Sequence, residues 1–236
     1  MAAPPSLVLT CEHGGARVPR AYAAALRIPD AVLASHRGFD AGALDAARAL
    51  SRALAAPLVA ATTTRLLVDL NRSPHNPRAF SPFARRLPRE VREALLRDVH
   101  APHWARVRAA LDAAAERAPS VVHVAVHSFT PVLGGDERRF DVGLLYDPRR
   151  APELRFARRL QAALRHVLPG LRVRRNAPYR GVADGLATAM RRERPARRYV
   201  GLELELCQAW LARDPKRRLL VKAVELALRS VLAQNA

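Results

Sequence analysis

Three apolar runs, each carrying polar residues at or near its end, constrain this chain more than any other feature. Leu7-Val-Leu-Thr-Cys-Glu-His-Gly-Gly15 reads as a buried strand that runs straight into His13 and a flexible Gly-Gly step. Val121-Val-His-Val-Ala-Val-His-Ser128 finishes in a second histidine, His127. Tyr199-Val-Gly-Leu-Glu-Leu-Glu-Leu206 sets Glu203 and Glu205 into an otherwise hydrophobic stretch. Strands this apolar are covered on both faces, so the chain needs helices on either side of a mostly parallel sheet.

The intervening segments supply them. Apolar spacing predicts helices over 19–26, 41–54, 89–118, 151–168, 184–194 and 215–234, with Asp40 a candidate N-cap of the second. Further strands are expected over 57–64 and 66–70, as two strands or one bent one, and over 141–146 and 171–175. Residues 73–88 hold several prolines and little periodicity, which predicts a loop and a possible wall of a site. A turn is expected at Gly134-Gly135. With no internal repeat and no linker, residues 1–236 read as one α/β domain with a mixed, mostly parallel sheet and helices on both faces.

Several function classes recede on composition. No apolar stretch approaches the roughly 20 residues of a membrane-spanning helix. The first residues, Met-Ala-Ala-Pro-Pro, lack the basic and apolar regions of a secretory signal. Cys11 and Cys207 are the only cysteines, as expected in a reducing, cytoplasmic setting. The net charge of +19 invites a nucleic-acid reading. However, all but two of the basic residues are arginine, they are spread along the whole chain, and aromatics are only 5%. That pattern fits a coding bias in an Ala- and Arg-rich chain, so a specific nucleic-acid or membrane partner is not expected. A non-catalytic, polyanion-binding protein is the alternative reading.

The residue chemistry favours a metal. Two strand-end histidines with at least one acid form the donor set of a zinc hydrolase centre that keeps an open position. His13 and His127 are the candidate ligands, and Glu12 and Asp40 compete to be the third. Adjacent strand residues point to opposite faces, so Glu12 and His13 diverge unless the chain has already turned. Glu203 and Glu205 lie two apart on one face, and either can serve as general base. His123 shares a face with His127 but lies about 13 Å away along an extended strand, too far for the same ion. His100 and His103 fall on a helix and default to structural roles, whereas His36 and His75, in loops, can reach a substrate. Ser128 follows His127 but lacks the Gly-x-Ser-x-Gly elbow of a serine hydrolase.

Five segments together carry a resemblance. They are Cys11-Glu-His-Gly-Gly15, His36-Arg-Gly-Phe-Asp-Ala-Gly-Ala43, Arg65-Leu-Leu-Val-Asp-Leu-Asn-Arg-Ser73, Val126-His-Ser-Phe-Thr-Pro131 and Leu202-Glu-Leu-Glu-Leu-Cys-Gln208. In this order they resemble the N-formylglutamate amidohydrolase family over nearly the whole chain. The Asp-Leu-Asn-Arg piece is also similar to a motif of the aspartoacylase branch of zinc carboxypeptidase-like enzymes. The resemblance implies a zinc-carboxypeptidase-like fold and a Zn²⁺-dependent hydrolase of an N-acyl acidic amino acid such as N-formyl-L-glutamate. It also implies Asp40 rather than Glu12 as the third ligand, and Glu205 as the base with Glu203 in support. Asn71 and Arg72 are then expected to meet a small-molecule carboxylate, with Arg65 and Arg180 as further cations.

Overall fold

The computed structural model describes residues 4–234. It opens on β1 (Ser6–Cys11), passes through the short helices α1 (Arg20–Leu26) and α2 (Asp30–Leu33), and continues into α3 (Ala43–Leu54) and β2 (Leu58–Ala60). A long irregular stretch with a 3₁₀ turn (Ala84–Arg86) leads to α4 (Arg89–Leu95), a π-helical turn (Leu96–His100) and α5 (Ala101–Arg117). Next come β3 (Val121–Phe129), a small hairpin of β4 (Val132–Leu133) and β5 (Asp136–Glu137), and β6 (Val142–Leu145). The chain closes with α6 (Ala151–Val167), β7 (Val173–Arg175), α7 (Leu186–Glu193), β8 (Tyr199–Cys207), α8 (Gln208–Leu211) and α9 (Asp214–Ala233).

Six strands form one sheet in the order β2-β1-β3-β8-β6-β7. β2, β1, β3 and β8 run parallel, β6 runs antiparallel to β8, and β7 follows β6 in parallel. The expected mixed, mostly parallel sheet is therefore present. Strand alternation divides its side chains between two faces. Leu9, Val124, Val126, Leu202 and Leu204 join α3, α6 and α9 in the larger core. Val8, Val121 and Tyr199 face the other way, against Trp104 and Leu111 of α5 and Met190 of α7.

That second face turns polar as the parallel strands approach their C-terminal ends. Thr10, His123, His127, Glu203 and Glu205 all lie on it and are buried. His123 is satisfied within the sheet. Its Nε2 lies 2.9 Å from Thr10 Oγ1 and its Nδ1 2.7 Å from the Tyr199 hydroxyl. Burial pushes its pKa down to about 4, so it is neutral at pH 7.

Several local expectations need correction. Residues 66–70 are not a strand, and the 57–64 segment shortens to β2. Leu66, Leu67, Val68 and Leu70 are buried, but as a folded loop. Their backbone groups are taken by other partners: Trp104 Nε1 donates to the Leu70 carbonyl at 2.8 Å, Ser81 Oγ to that of Leu66, and Asp69 N–H to that of Ala79. An apolar run can be buried without pairing in a sheet, and periodicity alone does not separate the two cases. The helix predicted over 89–118 is interrupted by the π-turn, whose His100 lies 2.8 Å from the Arg72 carbonyl through Nε2. Asp40 does not cap α3. Gly42 occupies the N-cap at φ 77°, and no side chain caps this helix.

Candidate active site

The four parallel strands end at one rim of the sheet, the place where ligands collect in open α/β folds. β1 ends at Cys11, and the chain has already turned at Glu12 and His13, so these neighbours are not held to opposite faces. The His13 carbonyl accepts the Asp40 N–H at 2.9 Å, which draws the loop before α3 onto the strand end. His127 is on β3, in register with Glu205 on β8.

His13, Asp40 and His127 converge, each offering one donor atom with all three atoms within 4.8 Å of one another. Asp40 Oδ2 lies 2.9 Å from His127 Nδ1 and 3.5 Å from His13 Nδ1. The far nitrogens of both rings face carboxylates. His13 Nε2 is 2.6 Å from Asp69 Oδ1, and His127 Nε2 is 3.0 Å from Glu12 Oε2. Against burial, these carboxylates raise the pKa of both imidazoles; with a metal in place of the second proton, a carboxylate behind the far nitrogen would keep the proton there and leave the other nitrogen's lone pair for the ion. His13 Nδ1 is buried with no hydrogen-bond partner, the mark of a donor atom waiting for a ligand. Two imidazoles and a carboxylate are also a donor set that suits zinc.

The electrostatics follow from burial and proximity. Burial on its own would raise Asp40, but His13 and His127 hold it well below the usual carboxylate range. Glu12, fully buried, is likewise held low against burial by His103 and His127. Its oxygens lack aligned hydrogen bonds, and His103 Nε2 stands 4.0 Å away. Asp69 is held low, against burial, by Arg65 and His13. Glu205 moves the other way. Burial, with Asp40 and Glu203 adding repulsion, lifts it to about 7 despite His127. One of its oxygens, Oε2, is buried without a partner. Gly143, opposite Glu205 in the antiparallel β6, leaves room for this side chain. A Cβ there would stand 3.2 Å from Glu205 Cβ and 2.0 Å from the Ala177 carbonyl oxygen.

A cavity of about 180 Å³ opens over these groups, lined by His13, Asp40, His127, Glu203 and Glu205 and by Arg65, Asn71, Arg72 and Arg180, but not by Glu12. They are not equally available. Arg65 is tied to Asp69 at 2.7 Å and to Asp40 at 3.5 Å, so its charge is spent on the acids around the histidines. Asn71 donates to Glu203 at 3.1 Å through Nδ2 and accepts the Leu186 N–H at 2.9 Å through Oδ1, which pins it to the start of α7. Arg72 donates to the Asp184 carbonyl. Arg180 is exposed at the rim. His36 lines the cavity, and His75 does not. Ser128 spends its hydroxyl on the Ala41 carbonyl at 2.9 Å, which does not suit a nucleophile.

The comparisons with known proteins bear on this geometry. The family model for N-formylglutamate amidohydrolase matches residues 5–212. The chain belongs to the N-formylglutamate amidohydrolase family. Its members are amide-bond hydrolases, and the matched span takes in all five sequence motifs. The gene product Atu2144 from Agrobacterium tumefaciens has a similar crystal structure, with 28% identity and a TM-score of 0.85 over 99% of this chain and 92% of that one. The N-formylglutamate amidohydrolase from Ralstonia eutropha JMP134 shares the fold at 21% identity and a TM-score of 0.76, over 100% of this chain and 95% of that one. No curated protein matches the sequence at a significant level.

Sequence reasoning missed Asp69 as the partner of His13, although it sits inside the quoted Asp-Leu-Asn-Arg motif. The signal was an acid inside an apolar run, the same signal that drew attention to Glu203 and Glu205. Arg138 and Tyr179, which also line the cavity, had no motif to mark them.

Proposed function

We propose that this chain is a zinc-dependent amidohydrolase of N-acyl acidic amino acids, with N-formyl-L-glutamate the substrate to test first. The observation that carries the reading is the unpartnered Nδ1 of His13, turned toward Asp40 and His127 in a cavity that the Glu205 carboxyl also lines. His13, Asp40 and His127 hold the ion. Bound there, zinc supplies Lewis acidity, lowering the pKa of a water and polarising a carbonyl oxygen. Glu205 accepts a proton from the attacking water and returns it to the departing amine, a task that suits a carboxyl with a pKa near neutrality. Glu203, bonded to Asn71, supports it. Arg65 balances the buried acids around the histidines. Arg72 and Arg180 present cations to the substrate's carboxylates, with Asn71 setting the wall behind them. Among the described residues no helix is long and apolar enough to cross a membrane. Both cysteines are buried and free, which supports a reducing, cytoplasmic setting.

The test combines metal analysis with turnover. Wild-type protein loaded with zinc should hold one ion per chain and release formate from N-formylglutamate. His13→Ala and His127→Ala should each lose the ion under mild chelation. If both variants keep one zinc per chain, the ligand assignment is wrong. If the loaded wild type releases no amine from any N-acyl acidic amino acid, the substrate class is wrong.

A further inference from the structure

The cations around the cavity differ in what already satisfies them. Arg65 is neutralised by Asp69 and Asp40. Arg72 donates to the Asp184 carbonyl, while the Asp184 carboxylate accepts from the Ser73 N–H and from Asn76 Nδ2. Arg138 has no carboxylate within ion-pair distance among the described residues. Its guanidinium instead lies 5.9 Å from the Phe129 ring centroid and 5.4 Å from that of Tyr179, with Nη2 3.5 Å from the Tyr179 hydroxyl. Its backbone is fixed as well, since the Arg138 N–H donates to the Pro131 carbonyl at 2.8 Å and closes the base of the β4–β5 hairpin.

A guanidinium between two aromatic faces is held in place while its N–H edge stays open to a planar anion. The next residue makes the contrast. Arg139 is 77% exposed and paired with Glu137 at 2.9 Å. The floor of the same cavity carries Asp40, Glu203 and Glu205. The cavity is thus polarised, acids and imidazoles below and an uncompensated, preorganised cation at the rim.

We infer that Arg138, set by Phe129 and Tyr179, is a specificity-determining residue that grips one carboxylate of the substrate. The inference rests on the hydrolase reading above and assigns the hairpin after β3 to substrate selection. An N-acyl acidic amino acid carries two carboxylates, on the α-carbon and on the side chain. The two are separated by substrates that each lack one.

The experiment compares zinc-loaded wild type, Arg138→Gln, Arg138→Lys and Arg139→Gln on N-formylglutamate, N-formylglutamine and N-formylisoglutamine. A charge-assisted hydrogen bond is worth roughly 10- to 150-fold, and this partly exposed site should fall at the low end. Arg138→Gln should raise KM for N-formylglutamate about tenfold while kcat changes by less than about threefold, the signature of lost uniform binding. For the one amide analogue that lacks the gripped carboxylate, KM should not change. Arg138→Lys should recover part of the loss, and Arg139→Gln should behave as wild type. An unchanged KM in Arg138→Gln overturns the inference while leaving the hydrolase reading intact, and so does a fall in kcat alone. If the wild type hydrolyses none of the three, the hydrolase reading fails and calorimetric binding of glutarate decides the inference. Weaker binding by Arg138→Gln than by wild type then sustains it. Equal binding, or none by either protein, overturns it.

Discussion

Replacing Asp69 by Asn tests the logic of the histidine pair without removing a ligand. Asp69 stands among three donors, His13 Nε2 at 2.6 Å and the Asn71 N–H at 2.9 Å on Oδ1 and Arg65 Nη2 at 2.7 Å on Oδ2, and takes all of them as an anion. An Asn of the same shape offers one acceptor. If its oxygen faces His13, its NH₂ group meets the Arg65 cation. If its oxygen faces Arg65, its NH₂ group meets His13 Nε2 and moves the ring proton to Nδ1, the atom that must stay free for a metal. Either arrangement weakens the ion's hold while leaving all three donors in place. Loss of such an outer carboxylate typically costs about 10- to 100-fold in metal affinity, or about 1.4–2.7 kcal/mol. Competition with a chromophoric zinc chelator measures this directly, and far-UV circular dichroism checks the fold. An affinity within about twofold of wild type would show that Asp69 neither fixes the His13 tautomer nor steadies its ring.

Other outcomes follow from the same geometry. Glu205→Gln should keep its zinc and lose about 10²–10⁴-fold in kcat; turnover near the wild-type level would move the base to Glu203 or remove the mechanism. The same variant should stabilise the metal-free fold. A carboxyl raised from 4.5 to about 7 is neutral when folded below that pH, and folding is opposed progressively as pH climbs from 4.5 to about 7. Urea denaturation of metal-free protein should therefore show Glu205→Gln ahead of wild type by up to about 3 kcal/mol at pH 8, with a smaller gain at pH 5. Arg191→Leu should cost stability toward the lower end of about 3–5 kcal/mol. It leaves the fully buried Glu153 with one cation, Arg150 at 3.3 Å, and the N–H groups of Asp147 and Gly201 at 2.9 and 3.2 Å. Adding Glu153→Leu should restore only part of that loss, because Arg191 also holds the Gly181 and Gly201 carbonyls and Glu153 the Asp147 and Gly201 N–H groups; equal midpoints for wild type and Arg191→Leu would refute the pairing argument.

Much of this architecture is legible in the sequence because the three apolar runs are long and end in polar residues. β1, β3 and β8 fall where their composition puts them, and the alternation of helices around them yields the covered, mostly parallel sheet. His13, His127 and Glu205 were visible because a polar residue at the end of a buried strand needs a reason to be there. Asp40 was decided by motif context, since its own surroundings fit a helix cap equally well. Asp69 escaped notice for a physical reason. Its segment looks like a strand, and the donors that hold it as a loop, Trp104, Ser81 and His100, lie 15 to 34 residues away. The role of Glu12 was hidden in a similar way, because only the turn at the end of β1 brings it behind His127. Arg138 was one arginine in a chain full of them, and only its place between two rings sets it apart.

The buried Arg191 also bears on how the cavity can change. Beyond pairing with Glu153, its guanidinium reaches the Gly181 carbonyl at 2.6 Å and the Gly201 carbonyl at 3.0 Å. Asn176 takes the Gly181 N–H at 3.1 Å from the other side. The stretch bearing Tyr179 and Arg180 is therefore moored at Gly181, through both its carbonyl and its N–H, while its two exposed side chains line the cavity rim. His127 and Glu205 sit on strands and His13 in the turn that ends β1, whereas Tyr179 and Arg180 sit on this moored loop. A loop fastened in this way can exchange its outward residues, or be grafted from a relative, without disturbing the histidines beneath it. Selectivity and chemistry can then diverge on separate schedules, with Arg191 and Asn176 as the joints where a transplanted loop has to fit.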